Sequence, residues 1–187
     1  MEKETIWNRI SIDPKLAKPL FWSLWLVMVV CLLFWQLWAT GFRFNVTPSL
    51  PRGVYRLTTE RPTAGDLVSF CLDEKNSTLA LEREYLESGS CPTGSRSLLK
   101  KLAGFPGDQV VQTEAGISVN GLLWPNTAFS HADNQARPMP AVPLTGSIPA
   151  GMALVLSDLH AGSFDSRYFG LVPLASLHKV NTILLFQ

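Results

Sequence analysis

The sequence predicts a mainly β domain that is tethered to a membrane by one N-terminal transmembrane helix. Two observations support this fold class. One long apolar run lies near the N-terminus, and short β-like runs separated by glycine and proline fill the rest of the 187-residue chain. An extended amphipathic helical pattern is lacking, which favours strands over helices in the part after the apolar run.

The apolar run at residues 20–39 predicts a retained membrane anchor. It holds no charged residue, 18 of its 20 residues are hydrophobic, and four of the six tryptophans of the chain lie near its two ends. About 20 apolar residues span the hydrocarbon core as a helix, and tryptophan favours the two interfaces. The alternative is a cleaved signal peptide, whose apolar region is typically about 7–15 residues long. The length and the bulky end of this run favour the anchor.

The anchor divides the chain into a short cytoplasmic tail at residues 1–19, a transmembrane helix at 20–39 and an extracytoplasmic domain at 41–187. Basic residues flank the helix on both sides, so charge alone leaves the orientation open. A short inner tail with a translocated domain is the simpler arrangement. It predicts a single-pass protein of the inner (cytoplasmic) membrane with a periplasmic domain. Cys71 and Cys91 either form a disulfide there or remain free thiols, and the sequence leaves both open.

The part after the anchor has the composition of an ordinary neutral globular domain. Residues 40–187 carry 12 basic and 12 acidic residues, and the whole chain has a formal net charge of +1. This balance excludes a disordered chain and a strongly basic nucleic-acid binder. We therefore expect the lipid bilayer, and no nucleic acid, among the partners. No motif points to a metal, nucleotide or other cofactor.

Seven β-like runs, one helix and one loop are predicted in order along the domain. The runs lie at residues 54–57, 66–71, 97–105, 109–113, 116–123, 152–157 and 179–186. Asn120-Gly121, within the fifth run, is a hairpin signal. A helix rich in leucine, glutamate and alanine is predicted at 77–88, and a proline-rich loop over the surface at 129–149.

Two adjacent lysines are the first candidates for chemistry. Lys100 and Lys101 stand inside an apolar strand run and are two of only four lysines in the domain. Alternate residues of a strand share a face, so at least one of the two must point toward an apolar side. Burial lowers a lysine pKa, and a neutral lysine acts as a general base. The alternative is a surface pair whose alkyl stems cover apolar neighbours.

Two polar loops supply the other candidates. Prolines and a glycine surround Ser49 in a rigid turn shortly after the membrane run, where a serine presents its hydroxyl for attack if a base lies near. The alternative is a plain membrane-exit linker. A second loop at 157–170 is dense in hydroxyl groups and carries Asp165 and Arg167, which are expected to pair and shape the turn. Its alternative is a purely structural loop.

Four blocks in this order resemble the type I signal peptidase family of serine peptidases (peptidase family S26), which use a Ser/Lys dyad. The blocks are TPSLP at 47–51, GDLV at 65–68, KKLAGFPGD at 100–108 and SFDSRYFG at 163–170. Each is weak alone, but all four behind an anchor form a strong signal. The pattern SLPRGVY at 49–55, the small size and the single anchor are similar to the conjugative-transfer (TraF-type) branch. Two departures from housekeeping signal peptidases are Leu50 in place of methionine and SDLH at 157–160 in place of Gly-Asp-Asn-Arg.

The resemblance implies a signal-peptidase-like β domain and a catalytic role for three residues, Ser49, Lys100 and Thr47. Ser49 is the implied nucleophile and Lys100 the implied general base, while Lys101 is the weaker candidate. The hydroxyl of Thr47 and the backbone N–H of Ser49 would bind the oxyanion. Loss of one such donor typically lowers the rate by about 10²–10³-fold. The Ser/Lys pair is a known variant of the catalytic triad.

The resemblance also implies supporting residues and a reaction. Ser163 would orient the lysine amine, and Asp165 and Arg167 would hold the Ser163 loop in shape. The implied activity is cleavage of signal or leader peptides from membrane-inserted precursors. For this branch the implied substrate is a pilin precursor for conjugative DNA transfer. The acyl group would be released by water or by an amine that joins the product into a ring, and the sequence leaves both outcomes open. No cofactor is implied.

Three other functions compete with this hypothesis. The first is a general type I signal peptidase for secreted proteins. The second is a Ser/His hydrolase that uses Ser49, His160 and either Asp158 or Asp165, which predicts a rate limb near the histidine pKa of about 6.5. The third is a non-enzymatic, membrane-tethered assembly subunit, which accounts for the anchor and the composition but not for the serines and the lysine in these settings.

Overall fold

A computed structural model describes residues 14–186 of the chain. They divide into two compact units, of which the first ends at Gly41 and the second begins at Phe42. The first unit is a single helix, α1 (Pro14–Ala39). Its stretch Ala17–Ala39 has a mean hydropathy of 2.1 and is long and apolar enough to cross a membrane, as a membrane anchor or a signal sequence is. Residues 1–13 of the predicted tail lie outside the described part.

The second unit is mainly β, as predicted, and its larger sheet has seven antiparallel strands in the order β1-β2-β11-β3-β4-β9-β10. These strands are β1 (Phe42–Asn45), β2 (Gly53–Leu57), β3 (Leu67–Phe70), β4 (Leu98–Gly104), β9 (Met152–Leu156), β10 (Val172–Pro173) and β11 (His178–Leu185). In the centre of the sheet β3 pairs with β4 and places Val68 opposite Lys100, and β4 pairs with β9.

A smaller antiparallel sheet has the order β7-β6-β5-β8. Its strands are β5 (Gln109–Thr113), β6 (Gly116–Val119), β7 (Leu122–Leu123) and β8 (Gly146–Ser147). The turn between β6 and β7 is made by Asn120 and Gly121, with φ of 50° and 81°. Positive φ at both central residues is the geometry of a type I′ hairpin, so the Asn-Gly prediction is confirmed.

The described part of the domain also contains two short α-helices, α2 (Glu74–Glu82) and α3 (Ser166–Phe169), and a 3-10 helix at Leu174–Ser176. The prediction of a helix at 77–88 is wrong at both ends. The helix begins earlier because Asp73 caps it, accepting a hydrogen bond of 2.8 Å from the backbone N–H of Asn76. It ends earlier because the backbone turns at Glu84, where φ is 59°.

The prediction of a surface loop at 129–149 is also wrong in part. The segment is largely irregular, but it contains β8, and its apolar side chains enter the interior. Leu144 and Ile148 are buried against the smaller sheet, while Phe129 and Met139 pack against the larger one. The prolines therefore shape a strap whose apolar residues are part of the core.

The core has two parts, and β9 joins them. Ala153 and Val155 belong to a cluster under the larger sheet, and Leu154 and Leu156 belong to a cluster under the smaller one. Since successive side chains of a strand point to opposite faces, β9 is buried on both faces. The neighbouring β4 sends Leu98 and Leu102 into the first cluster. A lysine between those two leucines must therefore lie in apolar surroundings.

Cys71 and Cys91 form a disulfide with a Cα–Cα distance of 5.7 Å, so one of the two alternatives left open by the sequence is realised. The bridge joins positions 20 residues apart and encloses α2. Closing a loop of this length removes entropy from the unfolded chain worth about 3 kcal/mol.

We expect the double change Cys71→Ala and Cys91→Ala to lower the free energy of unfolding by about that amount. Thermal unfolding measures it, with Cys31→Ala as the control; equal Tm values for the two variants would contradict the expectation.

Candidate active site

The loop between β1 and β2 carries Ser49 and is organised by the buried side chain of Asn45. The amide nitrogen of Asn45 donates to the backbone carbonyls of Thr47, Leu50 and Pro51, each at 3.1 Å. Its Oδ1 accepts from the backbone N–H of Thr47 at 3.3 Å and from the Thr47 hydroxyl at 2.8 Å. One buried side chain therefore fixes the path of the loop on both sides of Ser49.

Ser49 is half-buried and is held at two atoms. Its Oγ lies 3.2 Å from Oγ1 of Thr47, so the structure brings these two predicted residues together. Its backbone carbonyl accepts a hydrogen bond of 2.6 Å from the hydroxyl of Ser157, which stands directly after β9. The loop is thus joined to β1 through Asn45 and to the end of β9 through Ser157.

Lys100 lies on the buried face of β4, between Leu98 and Leu102, and is 4% exposed. Its Nζ donates a hydrogen bond of 2.6 Å to Oγ of Ser163, a residue that is itself buried. Burial lowers the pKa of Lys100 from its ordinary 10.5 to about 8. The carboxylate of Asp165 opposes this shift and the guanidinium of Arg167 adds to it. Near neutral pH a usable fraction of this amine is therefore uncharged, as a general base requires.

The neighbouring Lys101 lies on the other face of β4 and pairs with Asp158 in a half-exposed ion pair. Alternation along the strand thus separates the two lysines, and each fits one of the two readings of the sequence. The surface alternative describes Lys101, and burial describes Lys100.

The predicted pair of Asp165 and Arg167 is fully buried, with 2.8 Å between Nε of Arg167 and Oδ1 of Asp165. Asp165 caps α3, and its carboxylate also accepts from the backbone N–H of Ser157 at 3.2 Å. Arg167 donates to the carbonyls of Ala128, Ala161 and Ser163 at 2.7, 3.0 and 2.9 Å. These bonds fix the loop that presents Ser163 to Lys100.

Ser49, Thr47 and Lys100 line one cavity of about 260 Å³, whose apolar walls include Tyr85, Leu86, Leu98, Leu99 and Phe164. Within residues 14–186 no hydrogen bond joins Ser49 directly to Lys100; each faces the cavity and is bonded to its own hydroxyl partner. Such separations are common in substrate-free sites and close when the substrate binds. The loop that carries Ser49 and the strand that carries Lys100 therefore contribute to one cavity.

His160 lines the same cavity, but the described residues do not assemble a Ser/His/Asp relay. The Asp158 side chain accepts from Lys101, and the Asp165 side chain accepts from Arg167 and from the backbone of Ser157. Neither carboxylate orients the imidazole. Among the described residues no group of three or more histidine, cysteine, aspartate or glutamate side chains is placed to hold a metal ion.

Asn45 and Ser157 were assigned no role by the sequence, although both lie next to predicted site residues. An asparagine two residues before a threonine at the end of a strand is a signal for a side chain that bonds the local backbone. That signal marks the turn but not its three carbonyl partners. The contact of Ser157 with Ser49 joins residues 108 positions apart, so no local pattern announces it.

A family model described as signal peptidase, peptidase S26, matches residues 16–185 of the chain. A probable conjugal transfer protein TraF of Sinorhizobium fredii is 39% identical over 145 residues, which cover 75% of this chain and 74% of that protein. A plasmid transfer protein TraF of Escherichia coli is 37% identical over 133 residues, 70% of this chain and 75% of that protein. A signal peptidase I of Leptolyngbya laminosa is 30% identical over 113 residues, 60% of this chain and 47% of that protein.

A crystal structure of a signal peptidase I from Enterococcus faecalis aligns with a TM-score of 0.39 and 23% identity, covering 67% of this chain and 100% of that one. The family match extends over the helical unit from residue 16 and over nearly all of the β unit. The TraF relatives share more of their sequence with this chain than the signal peptidase I of Leptolyngbya laminosa does. The chain therefore belongs to the signal peptidase family, peptidase S26, and within it to the TraF-type branch.

Proposed function

We propose that this chain is a membrane-anchored serine endopeptidase in which Ser49 is the nucleophile and Lys100 is the general base. One observation carries the proposal. A lysine buried in the central strand β4, with its pKa lowered to about 8, lines the same cavity as a serine that is held in a tight turn. Burying a lysine costs the folded state free energy, so this position is not explained by stability. A serine, in turn, needs a base to become a nucleophile.

The reaction follows from these two groups. The neutral amine of Lys100 takes the proton of the Ser49 hydroxyl while Oγ attacks the scissile carbonyl carbon. The carbonyl oxygen gains the negative charge and is bound by the Ser49 backbone N–H, with the hydroxyl of Thr47 as the proposed second donor. The C–N bond then breaks, and Lys100 returns its proton to the leaving amine. Water, or an amine in a ring-closing step, releases the acyl group from Ser49.

Ser163 is the proposed orienting residue for Lys100. Its Oγ accepts from Nζ at 2.6 Å, so the lone pair of the neutral amine is turned away from Ser163. Asp165 and Arg167 support that arrangement by holding the Ser163 loop through buried hydrogen bonds. We place these two residues outside the reacting atoms.

The names of the relatives indicate the process that the chain serves. Because TraF proteins named for conjugal and plasmid transfer resemble it, we propose that it removes the leader from a membrane-inserted precursor needed for conjugation, a pilin precursor or another signal-peptide-bearing protein. The disulfide between Cys71 and Cys91 supports an oxidising compartment. Together with α1 it supports an inner-membrane protein with its β unit on the periplasmic side.

Mass spectrometry of membrane fractions from cells that carry the full chain or its Ser49→Ala variant tests the function. We expect one or a few precursors to lose their leader with the wild-type chain only. The masses of the products separate hydrolysis from cyclisation, which differ by one water. Equal processing in both cells would overturn the proposal. Cleavage of the same precursor by the purified chain would exclude the non-enzymatic assembly subunit.

The pH profile offers a second test. Protonated Lys100 cannot accept the Ser49 proton, so activity is lost as pH falls below the pKa of about 8. We expect log kcat/KM to rise by about one per pH unit below pH 8 and to level off above it. Initial rates on one precursor between pH 5.5 and 10 measure this. A limb near pH 6.5 would instead favour the histidine mechanism with His160.

A further inference from the structure

We infer that Asn45 and Ser157 are positioning residues that hold the nucleophile loop from two sides, and that Asn45 also sets the direction of the hydrogen bond between Ser49 and Thr47. We call these two side chains the loop clamp. The inference rests on the proposed role of Ser49 as nucleophile. It concerns how the loop presents that hydroxyl, and neither clamp residue is placed in contact with the substrate.

The orientation of the Asn45 amide follows from its partners. One side of the amide faces the carbonyl oxygens of Thr47, Leu50 and Pro51, which only accept, so the donating nitrogen must lie there. The other side faces the backbone N–H of Thr47, which only donates, so the accepting oxygen must lie there. A flipped amide would set like groups against each other on both sides.

This orientation fixes the protons of the next two residues. The Thr47 hydroxyl has one proton, and that proton is directed to Oδ1 of Asn45 at 2.8 Å. Oγ1 of Thr47 therefore presents a lone pair to Ser49, 3.2 Å away, and the Ser49 hydroxyl is the donor. In the resting site the order of donation is thus Ser49 to Thr47 to Asn45, so the Thr47 hydroxyl must turn away from Asn45 before it donates to the oxyanion. Transfer to Lys100 begins when the Ser49 proton leaves Thr47.

The second half of the clamp acts on the backbone. Ser157 is fully buried, and its hydroxyl donates to the Ser49 carbonyl at 2.6 Å. Its backbone N–H donates to Asp165, so Ser157 links the nucleophile loop to the buried ion pair behind Lys100. Ser49 and Lys100 are therefore positioned by one connected set of polar contacts, although Ser49 lies in a loop and Lys100 on strand β4. Displacement of a reacting group by about 1 Å costs on the order of 10² in rate.

The experiment measures kcat and KM for the full-length chain in detergent on a membrane-inserted precursor with alanines at the first and third positions before the scissile bond. We expect Asn45→Ala to lower kcat by about 10- to 100-fold and Ser157→Ala by about 10-fold, with KM within about twofold of wild type in both. Asn181→Ala, an exposed asparagine on β11, is the matched control and keeps wild-type kcat.

A double-mutant cycle tests the direction of donation. If Asn45 acts through Thr47, Thr47→Val should cost at least threefold less kcat in the Asn45→Ala background than in the wild type. Thr47→Ser, which keeps the hydroxyl, should retain most of the activity. Asn45→Gln keeps both the donating and the accepting group of the amide but moves them by one methylene, so its kcat is expected between those of the wild type and Asn45→Ala, and it serves if Asn45→Ala does not fold.

Tm measurements accompany each rate, so that kcat is expressed per folded molecule. Wild-type kcat in Ser157→Ala together with either Asn45 variant would overturn the inference, and so would full additivity of Asn45→Ala with Thr47→Val. Ser49→Ala is measured in the same series. If it still cleaves the precursor, the proposed function fails as well; if it is inactive while the clamp variants are fully active, the clamp alone fails.

Discussion

Replacing Lys100 with methionine should lower kcat/KM at pH 8 by about 10³-fold, because the variant keeps the apolar stem and loses the proposed base. Among the lysines of the described chain, only Lys100 lines the cavity that holds Ser49. General-base catalysis is typically worth about 10²–10⁴-fold, and a serine hydroxyl without a base is a poor nucleophile. The rate is measured on the same precursor and under the same conditions for variant and wild type.

Lys101→Met is the matched control, since it makes the same chemical change one position along the strand. Lys101 is partly exposed and pairs with Asp158. Exposed ion pairs contribute about 0–1 kcal/mol, so this variant should keep its rate within about threefold of wild type. Equal losses in the two variants would show that the strand, not the amine of Lys100, had been disturbed, and full activity of Lys100→Met would contradict the dyad.

Stability separates loss of the base from loss of the fold. The folded state holds Lys100 at a pKa of about 8, against an ordinary value of 10.5, so the unfolded chain binds the proton more tightly. Below pH 8 this difference costs the folded state about 3 kcal/mol, and the cost disappears as pH rises toward 10.5. Lys100→Met removes that cost and loses one hydrogen bond, worth about 1 kcal/mol. At pH 7 the inactive variant should therefore be the more stable protein, by about 2 kcal/mol in chemical denaturation.

The same strand illustrates what the sequence alone can predict. Alternation along β4 requires one of two adjacent lysines to face the core, and it cannot say which one. The choice is made by β9, which packs beside β4 and is buried on both faces, while Asp158 after the end of β9 is available to Lys101. These partners lie more than 50 residues away in the chain, so tertiary contacts determine which of the two lysines is buried.

Turns and helix starts can be predicted from the residues that form them, without knowledge of tertiary contacts. Asn-Gly at 120–121 predicted its hairpin because only residues that tolerate positive φ make that turn. The start of α2 was equally readable from Asp73, a capping residue that the apolar pattern did not take into account. The burial of the strap at 129–149, in contrast, cannot be predicted from its own residues. Its prolines indicate an irregular path, but nothing in their spacing tells that Leu144 and Ile148 are buried.

The second large effect is expected at Arg167, a positively charged side chain with no exposed surface. Arg167→Met should lower the free energy of unfolding by about 3–5 kcal/mol, since it leaves the buried carboxylate of Asp165 without its countercharge. Three backbone carbonyls, of Ala128, Ala161 and Ser163, lose their donor at the same time. Domains of this size are stable by only about 5–15 kcal/mol, so this loss is a large fraction of the total stability.

Arg96→Met is the matched control for this charge removal. Arg96 pairs with Glu87 and donates to the carbonyl of Phe44, both at 2.9 Å, but the Arg96 and Glu87 side chains are 41% and 79% exposed. Water replaces both exposed contacts, so the change should cost about 1 kcal/mol. Chemical denaturation of both variants measures the difference. Similar small losses would mean that Asp165 finds another countercharge or a proton. The expected contrast would instead show that the fold depends on this buried pair. The same guanidinium donates to the carbonyl of Ser163, whose hydroxyl accepts from the amine on which catalysis is proposed to depend, so the pair that stabilises the fold also positions the proposed base.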